Sequence, residues 1–156
     1  MDFKLLEQEA LSILNKEELT IDQRMELVCQ LLQEKVAHYD WVGFYFKNGE
    51  KPELKLSVYA GEPTEHTIIP FGKGICGQVA ESNQNFVVPD VQAQDNYISC
   101  NINVKSEVVI PLFVNGENIG QIDIDSNTAN AFNEADERFL EKINAAVADI
   151  LMRNKA

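Results

Sequence analysis

Apolar residues at helical spacing mark both ends of the chain. The spacing predicts one helix over residues 3 to 14 and, after the capping pair Thr20 and Gln23, a second helix that runs to about His38. Asn133 is expected to cap a third helix near the C-terminus. The apolar stripes of the three helices are, in chain order, Phe3, Leu6, Ala10, Ile13 and Leu14; Met25, Val28, Leu32 and Val36; and Phe139, Ile143, Val147 and Ile150.

The middle of the chain has the pattern of β-strands. Residues 41 to 47, 54 to 59, 108 to 114 and 119 to 125 have this pattern, and Asn115-Gly116 predicts a two-residue hairpin between the last two. In the first strand, alternation sets Trp41, Gly43 and Tyr45 on one face and Val42, Phe44 and Phe46 on the other. Helices at both ends of a central antiparallel sheet predict an α+β fold with the helices packed against the sheet.

Length, composition and charge limit the class of protein. The 156 residues, of which 45% are hydrophobic and 24% charged, fit a single domain over residues 1 to 156. No apolar run approaches the roughly 18 residues of a membrane span, and the first residues do not resemble a secretion signal, so we expect a soluble cytoplasmic protein with no membrane partner. The 13 basic residues against 25 acidic ones give a net charge of -12, which would repel nucleic acid.

Three cysteines, Cys29, Cys76 and Cys100, are expected to be thiols, because structural disulfides are rare in a reducing cytoplasm. No metal is expected, since the cysteines form no C-x-x-C pair and His38 and His66 lack ligand spacing. Cys29 lies beside a helical apolar stripe, which favours a small buried hydrophobe. Cys76 follows a glycine-rich run at a predicted helix start, where unpaired amides and the helix dipole favour a thiolate.

Six short motifs follow one another from Trp41 to the C-terminal helix. They are Trp41-Val42-Gly43-Phe44-Tyr45, Ile69-Pro70-Phe71-Gly72-Lys73-Gly74-Ile75-Cys76-Gly77, Asp90-Val91, Ile98-Ser99-Cys100, Ser106-Glu107-Val108-Val109-Ile110-Pro111-Leu112 and Ile119-Gly120-Gln121-Ile122-Asp123-Ile124-Asp125. In their order and approximate spacing, the chain resembles the GAF domain family and, within it, the free methionine-(R)-sulfoxide reductases. The resemblance implies a GAF-like fold, a homodimer, and thiol-dependent reduction of free methionine-(R)-sulfoxide.

The resemblance also implies a role for each matched residue. Cys100 would be the nucleophile that attacks the sulfoxide sulfur, which leaves a sulfenic acid on Cys100 and frees methionine. Trp41 and Tyr45 would wall the methylthio end of the substrate. The substrate ammonium and the sulfoxide oxygen would be bound by three carboxyl groups, those of Glu107, Asp123 and Asp125. Clustered carboxyls raise one another's pKa, which would keep one of them protonated for transfer to that oxygen.

One part of the family's pattern is missing from this chain. The family's usual second cysteine aligns with His66, or with Glu65 after a one-residue slip, and neither side chain can form a disulfide. Cys76 is the natural substitute, and an external dithiol such as thioredoxin would reduce its disulfide with Cys100, without a bound cofactor. The alternative function is a small-molecule sensor that keeps the pocket without turnover, and a weaker one is a structural partner domain.

For several of these residues, the pattern alone leaves a structural role open. Trp41 and Tyr45 could be plain core, and Cys76 and Cys100 could be buried and inert. Three glycines could serve only a tight turn into a helix, namely Gly72, Gly74 and Gly77.

The relative positions of the three carboxyls are also open. Asp123 and Asp125 could lie on a solvent-facing strand surface, because alternation alone does not say which face is covered. A regular two-residue hairpin pairs Val108 with Asp123, which would point Glu107 away from both aspartates. A bulge, or the end of the strand near Ser106, would be needed to bring the three carboxyls together.

Overall fold

The computed structural model of the protein describes residues 2–94 and 103–154. The helices are α1 (Phe3–Leu14), α2 (Ile21–Lys35), α3 (Gly74–Ser82), α4 (Glu134–Arg153) and a 3-10 helix, Val91–Ala93. The strands are β1 (Trp41–Lys47), β2 (Glu53–Ala60), β3 (Ile68–Pro70), β4 (Phe86–Val88), β5 (Ser106–Val114) and β6 (Glu117–Ser126). The strands form one antiparallel sheet in the order β3-β2-β1-β6-β5-β4, which confirms the predicted α+β fold. Among the described helices, none has both the length and the apolar character of a membrane span.

The helix boundaries follow local capping signals. Thr20 Oγ1 accepts a hydrogen bond from the Gln23 N–H, and the Gln23 side chain accepts one from the Thr20 N–H, as the predicted capping box requires. Asn133 caps α4 in the same way. α2 ends at Lys35, so the predicted end at His38 is wrong. The next residue, Val36, already has extended backbone, with φ -104 and ψ 111, and the chain turns there toward β1.

The main core lies between one face of the sheet and the helices α1, α2 and α4. From the central strands it takes seven apolar side chains with at most 1% exposure, Val42, Phe44, Val108, Ile110, Leu112, Ile122 and Ile124. The helices contribute the apolar stripes predicted from their spacing, and removal of this surface from water is the main stabilising contribution. Cys29 is fully buried here, which confirms its prediction as a small hydrophobe.

A second, smaller cluster of buried side chains lies on the opposite face of the sheet, beneath α3. Its members include Trp41, Tyr45, Ile75, Cys76, Val79 and Val109. Gly77 allows α3 to lie close to the preceding turn, because a Cβ at this position would come within 2.5 Å of the Pro70 carbonyl oxygen. This tight approach brings the first turn of α3 down onto the polar residues of β6.

The β5–β6 hairpin has the predicted two-residue loop but not the predicted register. Asn115 and Gly116 both have positive φ, 53° and 79°, as the hairpin turn requires. The register then shifts between Leu112 and Phe113, so β6 contains one extra residue. The regular pairing of Val108 with Asp123 is therefore wrong, because a bulge of the kind considered from the sequence lies close to the loop.

Candidate active site

Three polar side chains of β6 point to the sheet face that α3 covers. Gln121, Asp123 and Asp125 alternate with two isoleucines of the main core, so strand geometry places all three on the same face. The shifted register pairs Asp125 with Glu107 of β5 and adds the third carboxyl to this face. Exposure is 2% for Asp123, 3% for Asp125 and 5% for Glu107. The solvent-facing alternative for the aspartates is therefore wrong.

Burial and mutual repulsion favour protonation of this carboxyl cluster. Burial raises the pKa of Asp123, against the opposing effect of its hydrogen bonds with Glu107 and Cys76. Burial, and then the charge of Asp123, raises the pKa of Asp125 well above its usual range. Because an ionised carboxylate has only acceptors, the carboxyls that hydrogen-bond here share at least one proton. Asp123 Oδ1 and Asp125 Oδ1 are buried with no hydrogen-bond partner in the described residues, so each can accept from a ligand.

Cys76 reaches the cluster from the first turn of α3. The helix begins at Gly74, and Cys76 Sγ donates to Asp123 Oδ2 at 3.3 Å. Burial, followed by the negative charges of Asp123 and Glu107, raises the pKa of Cys76 well above its usual range. The prediction of a thiolate at this helix start is therefore wrong, because desolvation and the neighbouring carboxyls outweigh the helix dipole.

Trp41 and Tyr45 line the same face and hold the loop between β2 and β3. Trp41 Nε1 donates to the Glu62 carbonyl oxygen at 2.9 Å, and Tyr45 Oη donates to the His66 carbonyl oxygen at 2.8 Å. Both rings are buried in the second cluster. Each also borders a cavity, so these aromatic side chains serve both as core and as cavity wall.

Two cavities adjoin this face of the sheet. The smaller, of about 20 Å³, is lined by residues that include Tyr45, His66, Cys76, Glu107 and Asp123. Its volume suits a single water-sized group. The larger, of about 630 Å³, is lined by residues that include Asp40, Trp41, Glu62, Asn103 and Asp125. This volume is typical of small-molecule sites, and the acidic side chains of Asp40 and Glu62 in its wall favour a cationic ligand group.

Cys100 and the rest of the Ile98-Ser99-Cys100 motif lie outside the described residues, so the role of Cys100 as nucleophile stays a prediction. Asn103, the next described residue along the chain, lies in the wall of the larger cavity. His66, at the position of the family's usual cysteine, lies in the wall of the smaller one.

One group of side chains in the described ranges has atoms placed to hold a metal ion. Cys76 Sγ and one carboxylate oxygen each of Glu107 and Asp123 lie within 4.8 Å of one another. Cysteine and histidine spacings in the sequence gave no sign of this group, because two of its three side chains are carboxyls. The hydrogen bond from the thiol to Asp123 already accounts for the proximity of two of the three atoms.

Gln121 is a site residue that was not predicted from the sequence. Its Nε2 donates to the backbone carbonyl oxygen of Cys76 at 3.1 Å, and the side chain is fully buried. Its alternation with Asp123 and Asp125 was the available signal. The site therefore combines a buried thiol, shared acidic protons and unpartnered acceptors, which suits a small ligand with a cationic group and an oxygen to be protonated.

The chain matches a known domain family and is similar to proteins of that family. Residues 18–152 match the GAF domain model. The chain is 40% identical over 106 residues to GAF domain-containing protein A of Dictyostelium discoideum, across 68% of this chain and 66% of that protein, so it spans about two thirds of that relative. It is 35% identical over 121 residues to the free methionine-R-sulfoxide reductase of Escherichia coli, across 78% of this chain and 72% of that protein.

A solved structure is also similar to this chain in its fold. The X-ray structure of the free methionine-R-sulfoxide reductase from Neisseria meningitidis in complex with its substrate superposes with a TM-score of 0.91 and 29% identity, across 99% of this chain and 92% of that one. The sequence match covers most of the chain, and the structural match extends over almost all of it. The chain therefore belongs to the GAF domain family.

Proposed function

We propose that the protein reduces free methionine-(R)-sulfoxide to free methionine with thiols as the source of electrons. The observation that carries this proposal is the buried thiol–carboxyl cluster, in which Cys76 donates to Asp123 beside Glu107 and Asp125. A binding pocket alone does not need an acidic proton and a thiol in the same place, whereas sulfoxide reduction needs both. The similarity to reductases of this name supports the choice of substrate.

In the first step, the thiolate of Cys100 attacks the sulfoxide sulfur. A protonated carboxyl of the cluster donates to the sulfoxide oxygen, so that no unprotonated oxygen has to leave. In net terms the S–O bond of the substrate breaks and an S–O bond forms on Cys100. The substrate sulfur gains two electrons and leaves as the methionine thioether, and Cys100 loses two electrons and becomes a sulfenic acid.

In the second step, Cys76 attacks the sulfenic acid. Because its pKa is raised, Cys76 starts as a thiol and gives its proton to Asp123 as it forms the S–S bond. The S–O bond on Cys100 breaks, and the hydroxyl leaves as water with a proton from the cluster. An external dithiol such as thioredoxin then reduces the disulfide and restores both thiols. The homodimer and the cytoplasmic location carry over from the sequence expectations as part of this proposal.

The test is methionine release from the free (R)-sulfoxide by the purified full-length chain, with thioredoxin and its reductase supplying electrons. We expect multiple turnovers for the wild-type protein, none for Cys100→Ser, and strongly reduced turnover for Cys76→Ser. Cys29→Ser is the matched control, because Cys29 is also buried but lies in the main core. Absence of methionine release by protein with Cys100 reduced would refute the proposal.

A ligand-binding role without turnover is the second candidate function. The raised pKa of Cys76 favours it, since a protonated resolving thiol reacts slowly. Mass spectrometry after one equivalent of sulfoxide separates the two. The enzyme should form a disulfide between Cys76 and Cys100, whereas a sensor should bind the ligand and keep all of its thiols.

A further inference from the structure

Gln121 is a buried polar side chain that makes one side-chain hydrogen bond within the described residues. It lies on β6 between Tyr45 of β1 and Pro111 of β5, with no exposed surface. Its Nε2 crosses to α3 and donates to the backbone carbonyl oxygen of Cys76 at 3.1 Å. A carbonyl in the first turn of a helix accepts one hydrogen bond from the N–H four residues later. Its oxygen has a second lone pair, which can accept from a side-chain donor such as the Gln121 amide.

Two side chains of β6 therefore hold the same residue of α3. Gln121 holds the backbone of Cys76, and Asp123, two positions along on the same face, accepts from its thiol at 3.3 Å. Because both contacts come from one strand, they set where the sulfur lies relative to the carboxyl cluster. Without the Gln121 contact, β6 would contact Cys76 through the Asp123 hydrogen bond to the thiol but would no longer bond the Cys76 backbone.

The oxygen of the Gln121 amide, unlike its nitrogen, is unfavourably placed. Gln121 Oε1 is buried and has no hydrogen-bond partner in the part of the chain that the structure describes. A buried acceptor without a partner destabilises a protein, and an apolar side chain at this strand position would avoid that loss. The amide is therefore unfavourable for the packing of the strand, which points to the N–H contact as its role.

We propose that Gln121 is a positioning residue for the reaction of Cys76, because its amide fixes the backbone from which the thiol reaches Asp123. This inference rests on the proposed function for the step that it affects. In that step Cys76 forms the S–S bond with the sulfenic acid of Cys100, gives its proton to Asp123, and the hydroxyl leaves as water. Within the described residues, the Gln121 side chain contacts Cys76, which forms its bond in the second step, so we expect the loss of this contact to slow the second step rather than the first.

The first experiment separates the two steps in a single turnover without external reductant. Reduced protein is mixed with one equivalent of free methionine-(R)-sulfoxide, and methionine and the Cys76–Cys100 disulfide are followed by rapid quench and mass spectrometry. In Gln121→Leu we expect methionine release at the wild-type rate and disulfide formation slowed about fivefold, the factor that one ordinary hydrogen bond represents. An unchanged disulfide rate, or equal slowing of both steps, would overturn the proposal.

Asn144→Leu is the matched control. Asn144 is also a buried amide whose Nδ2 donates to backbone carbonyls, those of Ile110 and Pro111, at 3.0 Å each, and its Oδ1 also lacks a partner in the described residues. It lies on α4, away from Cys76. Both steps should keep their wild-type rates in this variant. A slow disulfide step there as well would mean that loss of any buried amide has this effect, which would overturn the proposal.

A second experiment does not depend on the reaction. The alkylation rate of Cys76 by iodoacetamide, read by peptide mass spectrometry across a pH series, reports whether the thiol is held in place. Gln121→Leu should raise this rate about fivefold, and Asn144→Leu should not change it. An unchanged rate in Gln121→Leu would overturn the proposal.

This design keeps two failures apart. If the wild-type protein releases no methionine, the proposed function fails, and the alkylation result alone then decides the role of Gln121. Gln121→Met, an unbranched side chain of similar length without the amide, replaces the leucine variant if that variant does not fold.

Discussion

The contact between Gly43 and the Trp41 ring gives the sharpest test of the site geometry. A Cβ at Gly43 would lie 2.3 Å and 2.6 Å from two carbons of the indole ring, and ordinary contact begins near 3.4 Å. The substitution Gly43→Ala therefore has to displace the ring by about 1 Å or more. The ring stacks on Tyr59, with centroids 5.5 Å apart, and its Nε1 donates to the Glu62 carbonyl at 2.9 Å.

The size of the effect follows from these contacts. Overpacking in a well-packed core costs about 1–3 kcal/mol, and loss of a hydrogen bond about 1 kcal/mol. We therefore expect Gly43→Ala to lower the free energy of unfolding by about 2–4 kcal/mol. For a chain of this size, that corresponds to a fall in melting temperature on the order of 10 °C. Displacement of the Trp41 wall should also weaken binding of the proposed sulfoxide substrate, since the ring lines the larger cavity.

The assay uses the fact that the chain has one tryptophan, so intrinsic fluorescence reports on Trp41 alone. Trp41 is 7% exposed, and the emission maximum of Gly43→Ala should shift to longer wavelength as the ring moves toward water. Gly49→Ala is the control: its φ of +62° adds roughly 1 kcal/mol of backbone strain, but no atom lies within 4 Å of the new Cβ. Wild-type emission and stability in Gly43→Ala would refute the reasoning.

Two further predictions concern the charges of the cluster. Asp123→Asn should lower the pKa of Cys76, because it removes a negative charge and replaces the charged acceptor of the thiol hydrogen bond by a neutral amide. Alkylation of Cys76 should therefore begin at lower pH than in the wild type; an unchanged pH profile would contradict this. Asp125 has a folded-state pKa above its unfolded value. The stability that its protonated form contributes to the folded protein is therefore lost as the pH rises through the folded pKa. As the pH rises above the usual aspartate pKa of about 4, the melting temperature should therefore fall less in Asp125→Asn than in the wild type, whereas exposed Asp149→Asn should follow the wild type.

The longer elements could be predicted from the sequence because each carries several turns or alternations of its own pattern. The Thr20 and Asn133 caps, and the loop with Asn115 and Gly116, gave local signals that the structure confirms. β3 and β4 were not predicted, since strands of three residues are too short to show a period. Their pairing partners on β2 and β5 decide that they form.

The burial of the aspartates could not be predicted in the same way. Alternation separates the two faces of β6, but it does not say that another element covers the polar face. That cover comes from α3, which the missing Cβ of Gly77 allows to approach closely and to which the Gln121 amide donates a hydrogen bond. The same burial reverses the expected state of Cys76, because the helix dipole acts on a thiol that is out of water.

The position of Glu107 depends on one extra residue in β6. In a regular hairpin from the same loop, Val108 would share the face of Asp123, and Glu107 would point into the main core. The bulge lies between the pair at Phe113 and the pair at Leu112, and it shifts by one residue every pair farther from the loop. Val109 therefore lies opposite Asp123, and Glu107 lies opposite Asp125. A one-residue shift near the loop thus moves a carboxyl from an apolar core, where it would have no partner, to the cluster where it shares a proton. Because the shift exchanges the faces of all later β5 residues, the core contacts of Val108 and Ile110 and the acid cluster depend on the same bulge.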